Sequence, residues 1–178
     1  MMPMKNFQDS DDTSLLGGKA KKTSLRIDAI GALDELNAAV GVARAAINDK
    51  EINVILTGIS ETIFRAGADL ASLSGEGMIT PSDIMTLEDV IKKAEAELPP
   101  LQNFILPGQS KDDALLHSCR ASARKAERTF LKLAEKETAN REVFRYLNRL
   151  SDVFFALARL ANKRAGIIEH KWNSQGSQ

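Results

Sequence analysis

The feature that most constrains the fold is the spacing of apolar residues, which recur every three to four positions through five separate segments. Such spacing places apolar side chains on one face of an amphipathic helix. Over residues 114–134 these positions are Leu115, Leu116, Cys119, Ala123, Ala126, Phe130 and Leu133. The other segments span about 25–47, 52–73, 80–98 and 140–165. Because no segment alternates like a convincing strand, the sequence predicts an all-α fold, a five-helix bundle with an up-down arrangement.

The segments belong to one domain. Thr80 or Ser82 can cap the third helix, and two consecutive prolines end it. A length of 178 residues suits a single domain. We expect the bundle over 25–165, preceded by a polar, flexible arm over 1–24 and followed by a tail over 166–178 whose last six residues are disordered.

The charge balance and the cysteine count exclude several classes of protein. Lys plus Arg equals Asp plus Glu at 24 each, so no overall field draws the chain to nucleic acid or to an anionic membrane. The single cysteine, Cys119, lies on an apolar helix face without a disulfide partner, as expected in a reducing cytoplasm. The opening residues lack the apolar run of a signal peptide, and no apolar run reaches bilayer length. We therefore expect a cytoplasmic protein without nucleic-acid or membrane partners.

The central segment carries three arginines, Arg120, Arg124 and Arg128, each four residues after the last. A helix stacks them in one column, where their like charges repel. An anion lying across the column would relieve this repulsion, and planar guanidinium forks suit a polyphosphate better than a single carboxylate. The alternative is a solvated helix face on which Glu127 balances part of the charge. Spacing alone leaves both interpretations open.

Three other features are candidates for contact with a ligand. Residues 13–19, with hydroxyls, two glycines and a lysine, can present backbone N–H groups and a cation to phosphate, although a plain turn is the commoner explanation. Asp34 and Asn37 lie one turn apart and are either surface residues or partners of the arginine column. The apolar run over 104–106 lies outside any predicted helix, so it is buried by the domain's core or by a partner or ligand.

The sequence predicts no metal site. A di-iron bundle needs Glu-x-x-His pairs, and neither His117 nor His170 follows Glu at that spacing. The chain also has no histidine and cysteine cluster of zinc type, and no Ser-His-Asp set can be assembled from it.

Four blocks of sequence resemble one protein family. They are TSLLGG followed by RIDAIGALDELNAAVG over 13–41, FILPGQS over 104–110, LHSCRASARKAER over 116–128 and YLNRLSDVFFALAR over 146–159. The blocks span nearly the whole chain in the family's order, and the combination of the last two is highly specific. In these residues the chain resembles the PduO-type ATP:cob(I)alamin adenosyltransferases.

That resemblance implies a homotrimer of five-helix subunits with active sites where subunits meet. It also implies transfer of the 5′-deoxyadenosyl group of ATP to the cobalt of cob(I)alamin, with Mg²⁺ present and triphosphate released. The adenosylcobalamin product would then be handed to an enzyme that depends on it. By motif position, the implied catalytic residues are Arg124, Arg128 and Asp34, with Asp34 pairing with an arginine of the neighbouring subunit. The implied binding residues are Thr13, Ser14 and Lys22 over the phosphates, Arg120, Lys125, Glu127 and Asn148 at the nucleotide, and Phe104 against the lower face of the corrin.

The sequence departs from the family pattern in the arm and at two other positions. Members carry T-x-x-G-D-x-G where this chain has residues 7–11, which contain no glycine. Gln109 replaces the second glycine of L-P-G-G, and Lys125 replaces an arginine. Two functions are therefore expected. The arginine column favours the transferase, and the altered arm favours a binding protein of the same fold that holds ATP or a corrinoid, as chaperone or sensor, without efficient transfer.

Overall fold

Five helices form the body of the protein, as the apolar spacing predicts. The computed structural model describes residues 11–72 and 77–172. Its helices are α1 (Leu25–Ala46), α2 (Lys50–Ala71), α3 (Pro81–Glu97), α4 (Lys111–Ala134) and α5 (Arg141–Arg164). The predicted all-α, five-helix fold is confirmed. Within the described ranges, no helix is both long and apolar enough to cross a bilayer.

Each helix begins where the sequence supplies a residue suited to capping. The N-caps are Ser24, Asp49, Thr80, Ser110 and Asn140. At the start of α3, the Thr80 backbone N–H donates to the Asp83 carboxylate at 2.9 Å, so of the two predicted caps the structure uses Thr80. A favourable N-cap stabilises a helix by about 1 kcal/mol, which explains why the predicted starts and the observed ones nearly coincide.

The central helix of the bundle is α4, which packs against α1 on one side and α5 on the other. Helix α2 packs on α1, and α3 packs on α5. The predicted apolar face of α4 is buried, with Leu115 partly exposed and the rest, Leu116, Cys119, Ala123, Ala126, Phe130 and Leu133, in the core. Burial raises the pKa of the Cys119 thiol to about 12, so this cysteine is a core residue and not a nucleophile.

The arm differs from the prediction. Two short strands, β1 (Asp12–Leu15) and β2 (Gly18–Lys21), pair antiparallel, so the expectation that the chain has no strand is wrong here. Gly17, with φ of +96°, permits the turn between them, and Leu16 at the turn forms a β-bridge with Ser72 at the end of α2. The strands are four residues long and largely polar, so they lack the apolar alternation by which a sequence reveals a strand.

The first residues of the tail pair with the loop that precedes α4. The Leu106 N–H donates to the His170 carbonyl at 2.9 Å, and the Trp172 N–H donates to the Phe104 carbonyl at 2.7 Å. These two bonds hold the loop and the tail to each other. The predicted disorder of the last six residues, and the predicted flexibility at the start of the arm, fall on 173–178 and 1–10, which lie outside the described residues.

Candidate functional site

The arginine column is present on α4, and its members have different surroundings. Arg124 and Arg128 are exposed, and neither forms a hydrogen bond or ion pair with a described residue. The Arg120 Nε, by contrast, donates to His117 Nδ1 at 3.2 Å. Two guanidiniums one turn apart are therefore available to an external anion, which is what the polyphosphate interpretation requires.

A cleft of about 470 Å³ opens beside Arg120 and Arg124, where α4 and α5 meet the C-terminal end of α3. Leu101 and Phe155 contribute to its apolar wall, and Arg159 of α5, which is buried and ion-paired with Glu169 at 2.8 Å, also lines it. Its volume is typical of small-molecule sites. The lining also includes Glu95 and Asp152, so the cations available to a ligand here are Arg120 and Arg124, beside an apolar wall.

Two further candidates meet across the contact between α4 and α5. Asn148 Nδ2 donates to Glu127 Oε1 at 2.8 Å. Glu127 is therefore oriented by an amide of α5 and forms no ion pair with the arginines of the column, which weakens the interpretation of the column as a set of paired surface charges.

Lys125, which stands in place of the family's arginine, already has a partner. Its Nζ forms an ion pair with Glu35 of α1, and both side chains are more than half exposed. The sequence indicated no such pairing, because the two residues come together only through the packing of α1 on α4. Part of the charge of Lys125 is thus offset within the subunit.

Asp34 and Asn37, predicted to lie together beside the apolar stripe of α1, have different roles. The Asn37 Oδ1 accepts a hydrogen bond from Ser60 Oγ at 2.7 Å, so Asn37 belongs to the contact between α1 and α2. Asp34 is exposed and has no hydrogen bond or ion pair with any residue of the described part of the chain. It therefore does not reach the arginine column of its own subunit.

The candidate residues of the arm lie in or beside the hairpin. Thr13 is half-buried in β1, whereas Ser14, the next residue, is exposed. Because successive strand residues point to opposite faces, their two hydroxyls are not presented on one side. Lys22 is exposed, and its backbone N–H donates to the Asp11 carbonyl at 2.7 Å.

Phe104 is the most exposed part of the apolar run before α4. Its side chain is 78% exposed, and its ring lies edge-on to Trp172 with 6.4 Å between ring centroids. Leu106, two residues on, is also exposed. The run is therefore not buried in the domain's core, and of the alternatives given above, cover by a partner or a ligand remains.

Comparison with known proteins identifies the family in which these candidate residues occur. Residues 6–161 match the family described as cobalamin adenosyltransferase. The chain belongs to that family. Among its relatives, the corrinoid adenosyltransferase of Bacillus subtilis strain 168 is 41% identical over 165 residues, which cover 89% of this chain and 86% of that protein. The corrinoid adenosyltransferase PduO of Salmonella typhimurium is 39% identical over 163 residues, which cover 88% of this chain but 48% of that protein.

Solved structures of a PduO-type adenosyltransferase from Lactobacillus reuteri share the fold of this chain. A variant complexed with ATP has a TM-score of 0.87 and 31% identity, and the match covers 92% of this chain and 95% of that one. A variant complexed with cobalamin and ATP has a TM-score of 0.86 and 30% identity over the same shares. The resemblance inferred from the four sequence blocks is therefore confirmed.

Some residues at the candidate site were not predicted from the sequence. Trp172 lies in a polar tail, and an isolated large aromatic there is a signal that would have indicated a contact. For Glu35 on α1, and for Asp113 and His117 on α4, the sequence contains no feature that would have indicated a contact. Acidic side chains on helix surfaces are common, and only the packing of the bundle shows which of them have partners.

Proposed function

We propose that this chain transfers the 5′-deoxyadenosyl group of ATP to the cobalt of cob(I)alamin, forming adenosylcobalamin and releasing triphosphate. The observation that carries the proposal is the pair of exposed guanidiniums, Arg124 and Arg128, without a partner in the described part of the subunit. Membership of the cobalamin adenosyltransferase family supports the reaction. The Lactobacillus reuteri structures complexed with ATP and cobalamin support the choice of substrates.

The arginines act on the leaving group. The cob(I)alamin cobalt supplies the electron pair of the new bond to C5′, and the bond from C5′ to the triphosphate oxygen breaks, so negative charge grows on the triphosphate. Guanidiniums already in position stabilise that charge without reorganisation, and they thereby lower the barrier. We assign this catalytic role to Arg124 and Arg128. No general base is needed, because the reduced cobalt is itself the nucleophile.

Other residues of the site bind the nucleotide. The hydrogen-bonded pair of Glu127 and Asn148 offers polar atoms beside the column, and Lys125 adds a cation shared with Glu35. We propose that the hairpin closes over the phosphates through Ser14 and Lys22, with Thr13 on the opposite, half-buried face of β1. Support comes from Ser14 and Lys22, whose side chains are exposed on a hairpin anchored at its turn to the end of α2.

The exposed loop before α4 receives the corrinoid. Phe104 is apolar and largely exposed, with its own backbone tied to the tail. A phenyl ring against the lower face of the corrin excludes water or a base from that side of the cobalt. Cobalt without a lower ligand is easier to reduce, so Phe104 favours the cob(I) state that the transfer needs.

The complete site lies between subunits of a homotrimer. Asp34 supports this proposal, because it is exposed and has no partner in the described part of its own subunit, and an arginine of a neighbouring subunit would pair with it. Asn148 and Asp152, one turn apart on α5, are also exposed in the isolated subunit. Trimer formation would cover both, and each site would then borrow residues from two chains.

Magnesium accompanies the nucleotide and has no resident site in this proposal. Among residues 11–72 and 77–172, no three His, Cys, Asp or Glu side chains are grouped to hold a metal ion. Mg²⁺ commonly binds phosphate oxygens and water and needs few protein ligands, so it arrives as part of the MgATP substrate. The product, held at an exposed loop, is available for handover to an adenosylcobalamin-dependent enzyme.

A spectroscopic assay tests the reaction. Purified protein is mixed with ATP, Mg²⁺ and chemically reduced cobalamin, and the corrinoid absorbance is followed under anaerobic conditions. We expect the cob(I)alamin spectrum to be replaced by that of adenosylcobalamin, with one triphosphate released per turnover. Binding of both substrates with no spectral conversion would instead establish the rival function, a binding protein of the same fold.

Mixed subunits test where the site lies. Asp34→Asn and Arg124→Ala each impair the site, but if the two residues come from different chains, co-expressed variants form some interfaces with both residues intact. Random assembly restores roughly a quarter of the sites. Sedimentation at micromolar concentration should also give a trimer. A monomer that is fully active, or a mixture no more active than either variant alone, contradicts the shared site.

A further inference from the structure

A row of three polar side chains lies along the N-terminal half of α4. Asp113 and His117 are 1% and 7% exposed, and Arg120 follows one turn later at the edge of the cleft. Burying a carboxylate and an imidazole away from water costs free energy unless they form specific contacts. None of the steps proposed above uses Asp113 or His117, so their burial needs a separate explanation.

Asp113 connects the row to the loop that carries Phe104. Its Oδ2 accepts hydrogen bonds from the backbone N–H groups of Gly108 at 2.5 Å and Gln109 at 2.9 Å. Gly108 has φ of +93°, a conformation that favours glycine, so the loop turns sharply back toward the helix at this point. The carboxylate thereby fixes the end of the corrinoid loop to the first turn of α4.

His117 connects Asp113 to Arg120, and the direction of the bonds determines its tautomer. The Arg120 Nε can only donate, so His117 Nδ1, 3.2 Å away, must accept and carry no proton. The proton of the neutral ring is then on Nε2. This atom lies 3.3 Å from Asp113 Oδ1 without being aligned for a hydrogen bond, and no other described residue accepts from it.

We propose that His117 is a positioning residue, which holds Arg120 through Nδ1 and thereby fixes the guanidinium at the cleft in register with the loop bound by Asp113. The inference rests on the proposed function, since Arg120 serves the nucleotide and Phe104 the corrinoid. The terminal nitrogens of Arg120 form no hydrogen bond with described residues and are left to face the ligand. The two substrate sites are thus joined by one continuous set of contacts along α4.

Protonation of His117 breaks this arrangement. A proton on Nδ1 removes the acceptor and places a second cation against Arg120. The charged groups around the ring are Asp113 and Arg120 on α4 and Glu169 after α5, and its α5 neighbour is the uncharged Phe155, whose ring centroid is 5.9 Å away. Burial is the largest influence and lowers the pKa of His117, Asp113 raises it, Arg120 lowers it and Glu169 raises it, with a net pKa below 6.5.

Protonation of His117 lowers the stability of the folded protein at acidic pH. A histidine whose pKa is depressed by folding is neutral in the native protein above 6.5, where its stabilising effect is complete. That effect is lost as the pH falls below 6.5 through the folded-state value. Binding of ATP through Arg120 weakens over the same interval, because the same protonation releases the guanidinium.

The tautomer can be tested without altering the row. The chain has two histidines, and His170 is exposed, so His170→Gln leaves His117 as the remaining imidazole and serves as the reference protein. Nitrogen-15 NMR of this variant at pH 8 should show a protonated Nε2 and an unprotonated, hydrogen-bonded Nδ1. A protonated Nδ1 would overturn the inference, since Arg120 would then have no acceptor.

Three substitutions separate positioning from packing. His117→Asn keeps an oxygen acceptor close to the place of Nδ1, whereas His117→Gln moves its amide toward the place of Nε2 and leaves Arg120 without an acceptor. His117→Phe keeps the ring that packs on Phe155 but has neither nitrogen. We expect the KM for ATP to rise roughly tenfold in the Gln and Phe variants, as for loss of a hydrogen bond to a charged group, and to stay within about twofold in the Asn variant.

The pH profile supplies the decisive contrast. In the reference protein, kcat/KM for ATP should fall below pH 6.5 more steeply than in His117→Asn, because asparagine does not titrate and ATP protonation is common to both. Folded Gln and Phe variants with an unchanged KM for ATP, or identical pH profiles for the Asn variant and the reference, overturn the inference. The proposed function fails in a different way, through absence of adenosylcobalamin formation in the unmodified protein.

Discussion

A single arginine at one end of the bundle and a pair of arginines on α4 show how differently this protein uses the same side chain. At one end of the bundle, Arg164 contacts Asp49 at 2.9 Å, Glu51 at 2.8 Å and Glu97 at 2.8 Å, which lie at the starts of α2 and the end of α3. On α4, Arg124 and Arg128 contact no carboxylate within the described residues. Arg164 joins α5 to α2 and α3, whereas Arg124 and Arg128 have no carboxylate partner among the described residues.

The difference indicates that Arg124 and Arg128 add no ion pair to the described fold. Like charges spaced four residues apart on a helix cost about 0.2–0.5 kcal/mol per pair, which a domain of this size tolerates. The carboxylates that could offset Arg124 and Arg128 are placed elsewhere, with Glu127 on Asn148 and Glu35 on Lys125. The exposed pair Arg124 and Arg128 therefore has no ion-pair partner among the described residues, as the proposed anion site requires.

The largest expected effect comes from removing the arginine side chains of the column. Arg124→Ala and Arg128→Ala should each weaken ATP binding or transfer by about 1.5–3 kcal/mol, the scale of hydrogen bonds to charged groups. The free energy of unfolding should change little or rise, because repulsion along the helix is relieved. Isothermal titration with ATP and urea unfolding measure the two quantities.

A matched control is Arg145→Ala. This arginine is exposed on α5 and contacts Glu142 of the same helix at 3.1 Å, so its removal should alter neither ATP binding nor stability appreciably. If the two column variants bind ATP and turn over as well as the control, the column is only charged surface and the site lies elsewhere.

An intermediate effect, on stability and not on ATP binding, is expected for Arg164 at the end of the bundle. Arg164→Ala removes three partly exposed ion pairs that join α2, α3 and α5, and it should lower the free energy of unfolding by roughly 1 kcal/mol. ATP affinity should be unchanged. The loss, measured by urea unfolding, should shrink at high salt, because exposed charges are screened. If Arg164→Ala loses ATP affinity instead, the contrast between Arg164 and the pair Arg124 and Arg128 is wrong.

The smallest effect is expected at Lys125, which lies beside the arginine column and is also ion-paired with Glu35. Lys125→Arg restores the residue typical of the family and keeps a cation beside Glu35. Because guanidinium and ammonium both retain that exposed pair, stability should change by less than about 0.5 kcal/mol. Turnover should be unchanged or improved, since a planar fork binds phosphate oxygens in two places. A marked loss of turnover would show that the lysine is specifically required.

The sequence was sufficient for the helices and for the column but not for the contacts between elements. Helix positions follow from local apolar spacing and from caps such as Ser110, so periodicity predicts them. The hairpin was missed because its strands are short and polar, and the bridge between Leu16 and the distant Ser72 leaves no local signal in the sequence. Likewise, Asp34 and Asn37 share a pattern but not an environment, which only packing against α2 decides.

The pairing of the tail with the corrinoid loop also gives the protein its own optical probe. Trp172 is the single tryptophan of the chain, half exposed, with its indole edge-on to Phe104. A corrinoid bound where we propose would lie beside this one indole, so we expect its binding to change the tryptophan fluorescence, whereas ATP bound at the proposed site on α4 should leave the emission unchanged.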